Sequence, residues 1–576
     1  MSGEPPADSD SIEVGKRLVR ARAASGSSLG ERLLNQFYRF TWRTPLHAFR
    51  LRGRYPLKLV TVPEDPVSGN AERGREMLEG MIRWRGEAQE VEGCSFTGEG
   101  WSRGFADYMQ SFAWLRDLGA LNDRAATAPL AEYLMRAWLA AHAENISDTA
   151  WRGDLCGKRI LYWAAHAPLI LSSTDLVYRS TVLNTLARTA RHLERAADRV
   201  PIGIARVEAW AGIVAAGLLM PGGEPRRTFG ESGLQKALGG AFTSDGGSVC
   251  RSPLALADGI ITLSMLAKVY EARRAQPITL MSDVLAKSVP ALQGAVMGDG
   301  GLSSWQGGLP LQKAEVDAIV RGSGVRARPL RQARDWGYQR LSSGDTVLVI
   351  DTAPPPVSRL VEAGCASTLG FEMSDGAHRL IVNCGGARSG GPGMVPALVQ
   401  GLRTTAAHST LTLADSNSTS IHADGSLGKG VEEVELDRQE AEAGSRIEAS
   451  HNGYAKRFGF LHTRSLAMSP DGRELRGDDV LLPSGRRRRP QTSTFAIRFH
   501  LGPNVEVSPT ADGSGALLRI SEGALWQFRS HGGGLSIEDS LWIDGNGRMR
   551  PTQQLVISGE APPGGASVSW ALRRAG

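Results

Sequence analysis

Between roughly residues 75 and 300, apolar residues recur at i, i+3, i+4 and i+7, the spacing that lines one face of a helix. The pattern predicts helices over FADYMQSFAWLRDLGAL (105–121), APLAEYLMRAWLAAHAENI (128–146), KRILYWAAHAPLIL (158–171), YRSTVLNTLARTARHLERAADRV (178–200), ARVEAWAGIVAAGLLM (205–220) and ADGIITLSMLAKVYEARRA (257–275). Short Gly, Pro or Asp breaks separate them, so neighbours in sequence should lie antiparallel. Many such pairs can close into an α/α ring. Residues 321–334, RGSGVRARPLRQAR, have no periodicity and read as a linker. Beyond it the period drops to two. GYQRLSSGDTVLVIDTA, TFAIRFHLGPNVEVSPT and GLSIEDSLWIDG alternate apolar and polar residues, with SDG, PDG and DGN turns between strands.

Helices segregated ahead of strands mean separate domains, not βαβ units. The expected class is α+β multidomain: an N-terminal (α/α) toroid over 56–325, then a large antiparallel β-sandwich over 326–576. Residues 1–55 form a basic N-terminal segment with an acidic tip. Nine arginines between Arg17 and Arg54 alternate there with Leu33, Leu34, Phe37, Tyr38, Phe40 and Trp42. Two readings of 14–55 stand: a basic amphipathic helix on a membrane surface, or a helix packed on the toroid with a solvated Arg face. RRRRP (486–490) is placed in a hairpin loop.

Composition narrows the function classes. The 576 residues are 41% hydrophobic and 22% charged, an ordinary globular balance. The net charge of +6 favours polyanions such as acidic glycans, although solubility alone accounts for so small an excess. No nucleic-acid partner is expected. Cys94, Cys156, Cys250, Cys365 and Cys384 are scattered, without a CxxC pair, which argues against a disulfide framework. The N-terminus shows no apolar signal core, which predicts a cytoplasmic location. No Walker A or GxGxxG string occurs.

Six strings in order resemble the heparinase II/III family of polysaccharide lyases. They are SFAWLRDL (111–118), DGGSVCRSP (245–253), STLGFEMSDGAHRLIVNCGG (367–386), LRTTAAHSTLTLAD (402–415), HNGYAKRFGFLHTRSL (451–466) and FAIRFHL (495–501). The resemblance implies β-elimination on a uronic-acid polysaccharide or oligosaccharide. It also implies a periplasmic or envelope location as the alternative to the cytoplasm, and a sandwich-bound zinc ion. In the family, an Asn-His pair and a Tyr come from the toroid and another His from the sandwich. Here Val200–Arg206 holds neither Asn nor His, and Leu254, Ala255 and Leu256 stand where the Tyr is expected. Ala363 and Cys365 replace paired histidines, and Asn383 replaces an Asp. The usual machinery is therefore incomplete, so a degenerate glycan-binding or envelope-associated relative is the alternative function.

Elimination needs a base at the sugar C5 proton, an acid at the leaving oxygen and donors that neutralise the carboxylate. The candidates for the catalytic roles are His408, His451 and Tyr454. Arg251, Arg403, Asn452 and Arg464 are candidates for substrate binding, since Arg matches a carboxylate bidentately. Cys365, Asn383 and His408 are the metal candidates. His462 and Arg464 share a strand face by period two. On the toroid, His166, His192, Tyr108, Tyr162 and Arg159 are the nearest polar groups, with His192 read as a helix-surface residue. A glycosidase would instead need two carboxylates, for which Asp107, Asp154 and Asp245 are available.

Overall fold

The computed structural model describes residues 12–21, 42, 44–51, 53, 58–356, 363–386, 394–485, 491–521 and 523–575. The helical part holds α1 (Arg103–Ser111), α2 (Arg124–His142), α3 (Gly153–Ala165), α4 (Leu176–Ala196), α5 (Ile204–Leu219), α6 (Glu224–Ala241), α7 (Pro253–Ala272), α8 (Thr279–Gly294) and α9 (Lys313–Ser323). Caps set several starts. Asp123, Asp175 and Ser252 accept backbone N–H groups at the first turns of α2, α4 and α7, a device that contributes about 1 kcal/mol each.

α1 packs on α3, α3 on α5, α5 on α7 and α7 on α9, while α4, α6 and α8 lie against them. This is the expected α/α toroid, with alternate helices inside. Glycine allows the closest crossing. A Cβ on Gly157 of α3 would lie 1.9 Å from the Glu208 carbonyl oxygen, and one on Gly212 of α5 would lie 2.5 Å from Gly157 Cα. α7 is long and apolar enough to cross a membrane by composition alone, but 78% of its most apolar window is buried inside the fold. It is a core helix, apolar all round because neighbours cover it all round.

The sandwich has two antiparallel sheets. One has nine strands, in the order Gly15–Arg20, Glu433–Ala441, Gly444–His451, Phe460–Met468, Glu474–Pro483, Ala566–Arg574, Leu525–His531, Gly515–Ile520 and Val505–Pro509. The other runs Gly534–Ile543, Met549–Ala561, Ser493–Leu501, His378–Val382, Phe371–Asp375, Thr346–Asp351, Tyr338–Ser343, with Leu411–Leu413 also pairing Ser493–Leu501. Phe371, Phe499, Phe528 and Trp570 stack between them. The helix-then-sandwich expectation is borne out.

The N-terminal segment departs from expectation. Gly15–Arg20 is not helical but an edge strand of the sandwich, paired antiparallel with Glu433–Arg438. A short helix follows at Pro45–Arg50. Most of the Arg-rich stretch 22–43 and the RRRRP string lie outside the described residues.

Candidate functional site

The toroid meets the sandwich along a buried polar seam. Arg251, just before α7, has a left-handed backbone (φ 59°). Its guanidinium ion-pairs with Asp351 and donates to the Trp336 and Pro354 carbonyls at 2.8 and 2.9 Å. Its flat face lies 4.8 Å from the Tyr338 ring centroid. Arg379 adds a second tie, bidentate to Asp299 and 3.1 Å from Glu372. Gln306 bridges across, donating to Ser367 and accepting from Cys365 N, both at 2.9 Å.

The substrate-binding candidates are spent inside this framework. Arg251 is one of the ties just described, not an open anion clamp. Arg403 donates to the Gly364 and Gly425 carbonyls at 2.9 and 2.6 Å. Arg464 is fully buried, bidentate to Asp479 at 2.8 and 3.0 Å, and also donates to the Leu369 and Ser409 carbonyls. Asn452 accepts from the Glu432 and Glu433 amides, closing the end of a strand pair. Each fixes backbone or a buried partner, so the picture of four donors aimed at a sugar carboxylate is corrected.

The catalytic candidates fall in two places. His451 and His462 sit opposite each other on neighbouring strands, and the partners fix their protons. Gly453 N–H donates to His451 Nδ1 at 3.1 Å. His451 Nε2 must then carry hydrogen and donate to His462 Nδ1 at 3.3 Å, and His462 Nε2–H donates to Asp479 at 2.8 Å. This tautomer chain leaves both rings neutral, and burial acts in the same direction, lowering His451 well below the usual imidazole range and lowering His462 as well. Asp479 is charged: burial opposes this, but Arg464 and His462 hold its carboxyl below the ordinary range. Tyr454 is 1% exposed and donates to the Leu411 carbonyl at 2.9 Å, with its hydroxyl pKa raised by burial. Tyr454→Phe should therefore cost about 1 kcal/mol of stability, the net worth of one hydrogen bond, and leave ligand binding unchanged. Urea unfolding of the two proteins checks this.

His408 is apart from these, near the seam. Its Nδ1 is 2.8 Å from the Thr404 carbonyl, an acceptor only, so Nδ1 carries the hydrogen and Nε2 the lone pair. Burial pushes its pKa down to about 4, which keeps that lone pair free of a proton.

The three metal candidates do not fit zinc. Both ends of the Asn383 amide are committed, Nδ2 to Glu372 and Oδ1 to Ser409 N, each at 3.1 Å. Burial pushes the Cys365 thiol up to about 12, so it holds its proton, and its sulfur faces the Ala363 carbonyl. Zinc takes deprotonated Cys, His, Asp or Glu ligands, and the neutral, fully committed Asn383 amide is not one of them. Among the described residues no three His, Cys, Asp or Glu side chains are grouped to hold a metal.

The toroid candidates are mostly structural. His192 is fully buried, not on a helix surface, and bonds to the Trp151 carbonyl at 3.0 Å and to His47. Arg159 holds the Gln110 and Ala150 carbonyls and lies over Trp138. Tyr108 donates to Asp117, and His166 contacts Asp65. Buried Tyr162 lies under the Arg116 guanidinium. Asp245 caps the Asp335 and Trp336 amides. Asp107 and Asp154 both pair with Arg152.

These last three open a cluster that the sequence reading only half found. One turn further along α3, Lys158 pairs with Glu208 of α5 at 2.9 Å. Burial, with the carboxylates of Asp258 and Asp154 adding to it, pushes Glu208 up to about 7 despite Lys158. Charges on α1, α3, α5 and α7 thus line successive inner helices, with four carboxylates to two cations. The signal was available: Lys158 and Glu208 are charged residues set in the apolar runs of their helices.

Residues 325–571 match the family described as Heparinase II/III-like, C-terminal. Over 559 residues, 92% of each chain, the protein is 27% identical to FtsZ-localized protein C of Caulobacter vibrioides. Among solved structures, heparinase III superposes with a TM-score of 0.67 at 13% identity, covering 95% of this chain and 92% of that one. A mutant of the heparan sulfate lyase HepC of Pedobacter heparinus gives 0.58 at 13% identity, over 94% and 88%. The chondroitin AC lyase of Streptomyces coelicolor, in complex with chondroitin sulphate, gives 0.50 at 10% identity, over 95% and 82%. At such identities the structures speak for the shared fold alone.

Proposed function

We propose, from the premise that this chain is heparinase II/III-like, that it keeps the lyase scaffold for binding and does not carry out β-elimination. One observation carries this reading. The imidazoles and the phenol that the sequence offers as acid and base are buried, and His451, His462 and Tyr454 have their polar atoms committed inside the sandwich. A general acid or base must reach the proton it moves, directly or through one water. The ligand class we assign is an acidic polysaccharide, which the lyase fold supports. The place of action we assign is the FtsZ-marked division site, which the whole-length relative supports by its name.

A second reading rests on His408. Its Nε2 lone pair, beside the seam, is left without a hydrogen-bond partner among the described residues, unlike the ring nitrogens of His451. Incubation with heparin, heparan sulfate, chondroitin sulfate, alginate and glucuronan should give no rise in the ultraviolet absorbance of an unsaturated uronate. A rise that His408→Ala abolishes would establish the lyase reading and remove ours. A fluorescent fusion that stays diffuse beside labelled FtsZ rings would remove the division-site assignment.

A further inference from the structure

A hollow of about 1220 Å³ runs beside the edge strand Gly15–Arg20, between it, the linker 326–335 and the toroid residues Ser244, Asp245 and Lys287. A smaller one continues along Arg17–Ala21. The strand is the last of its sheet, so one of its two edges is unpaired among the described residues. The register says which groups are left over. Ala21 N donates to the Glu432 carbonyl, and the antiparallel pairing continues through Val19↔Val434, Arg17↔Leu436 and Gly15↔Arg438. Alternation in an antiparallel ladder turns those residues inward. The N–H and C=O groups of Lys16, Leu18 and Arg20 therefore point away from the sheet, and no hydrogen bond among the described residues reaches them.

The hollow is cationic. Arg17, Arg331 and Arg334 are paired with Asp335, Glu440 and Glu13. Lys16, Lys287 and Arg326 are exposed and form no ion pair among the described residues. An open strand edge offers alternating donors and acceptors at the spacing of another strand, and flanking cations select carboxylates. A glycan matches the charge but not the alternation.

We propose that this edge and its cationic hollow take an extended acidic peptide of a partner protein as an added β-strand. The site is remote in kind from elimination chemistry and stands whether or not the protein cleaves a glycan. The probe is a fluorescently labelled peptide of alternating Glu and Thr, read by anisotropy against the full chain. Two variants separate the contributions. Leu18→Pro removes an outward N–H without touching the inward ladder, a position where a strand tolerates proline. Lys287→Glu with Arg326→Glu reverses exposed charges. Each should weaken binding by about tenfold or more, with thermal unfolding unchanged. Should Leu18→Pro fail to fold, a probe with proline at alternate positions, offered to the unaltered protein, should bind at least about tenfold more weakly than the parent peptide. Charge reversal that weakens binding while Leu18→Pro and the proline probe do not would overturn strand addition, leaving a plain anion groove. A heparin oligosaccharide that displaces the peptide and is itself indifferent to Leu18→Pro would assign the groove to glycan. No change in either variant would overturn the site altogether.

Discussion

Asp479→Ala should destabilise the sandwich by about 3–5 kcal/mol, the cost of leaving a buried charge without its partner. The carboxylate accepts from Arg464 twice, from His462 and from Trp570 Nε1, all within 2.8 to 3.0 Å. Its loss strands the Arg464 guanidinium at 0% exposure in the sheet interior. The surviving carbonyl contacts to Leu369 and Ser409 cannot neutralise it. Arg464→Met should cost less, because His462 and Trp570 still donate to Asp479. The pair replaced together, Arg464→Met with Asp479→Leu, should cost far less than the sum, since apolar substitution of a buried ion pair is often close to neutral. Urea unfolding of the three proteins and the parent gives the cycle. Additive losses, each below about 1 kcal/mol, would show that the pair is not coupled.

The same network shows what the sequence could and could not yield. Period two put His462 and Arg464 on one face of a strand, and so it does. But Phe460, Leu466 and Met468 share that face, which makes it the core face, so a buried arginine was legible there. Its partner was not. Asp479 lies on the next strand and Trp570 on the one beyond, and only the register brings them together. The edge strand GKRLVR is a harder case. It is short and carries three cations in six residues, and its pairing partner lies over 400 residues away in sequence. Local pattern there favours an amphipathic helix, and only the unpaired edge at Glu433–Arg438 decides for a strand. Helices and strands of the main body were legible because apolar periodicity is a local property. Residue types of the candidate site were legible too, but the burial of Arg251 and Tyr454 was not, because their partners Asp351 and Leu411 O come from distant segments. Of the residues put forward for zinc, the neutral Asn383 could be judged a poor ligand from sequence, whereas the full burial of the Cys365 thiol could not.

Buried histidines also set how the protein should respond to acid. Burial lowers His192 and His500 to about 3 and His408 to about 4, against an ordinary value near 6.5. A group lowered in the folded state contributes stability that is complete above the unfolded value and is lost as pH falls towards the folded one. Each of these three should therefore cost about 2 kcal/mol by about pH 5. His451, His462, His142 and His47 are lowered in the same direction by burial. Three acids act the other way: Asp117, whose carboxyl burial raises, and two glutamates. Burial raises Glu208 and Glu372 to about 7, so the folded state holds their protons more tightly and gains stability as pH falls from about 7 to about 4.5. Seven histidines outweigh three acids, and below about pH 4.5 the glutamates have nothing more to return while His192 and His500 are still being forced to charge. Stability should thus fall gently from pH 6.5 to 4.5 and steeply beneath it, with several kcal/mol lost in total, comparable to the whole margin of a domain. His500→Gln should flatten that lower limb by about one proton, provided its amide keeps the Ala406 and Ser540 contacts that the imidazole makes now. Urea midpoints measured from neutral pH down to about 4 read the slope directly. A flat profile across that range would mean that these imidazoles are not held neutral, and the assignment of His408 Nε2 as an unprotonated acceptor would go with it.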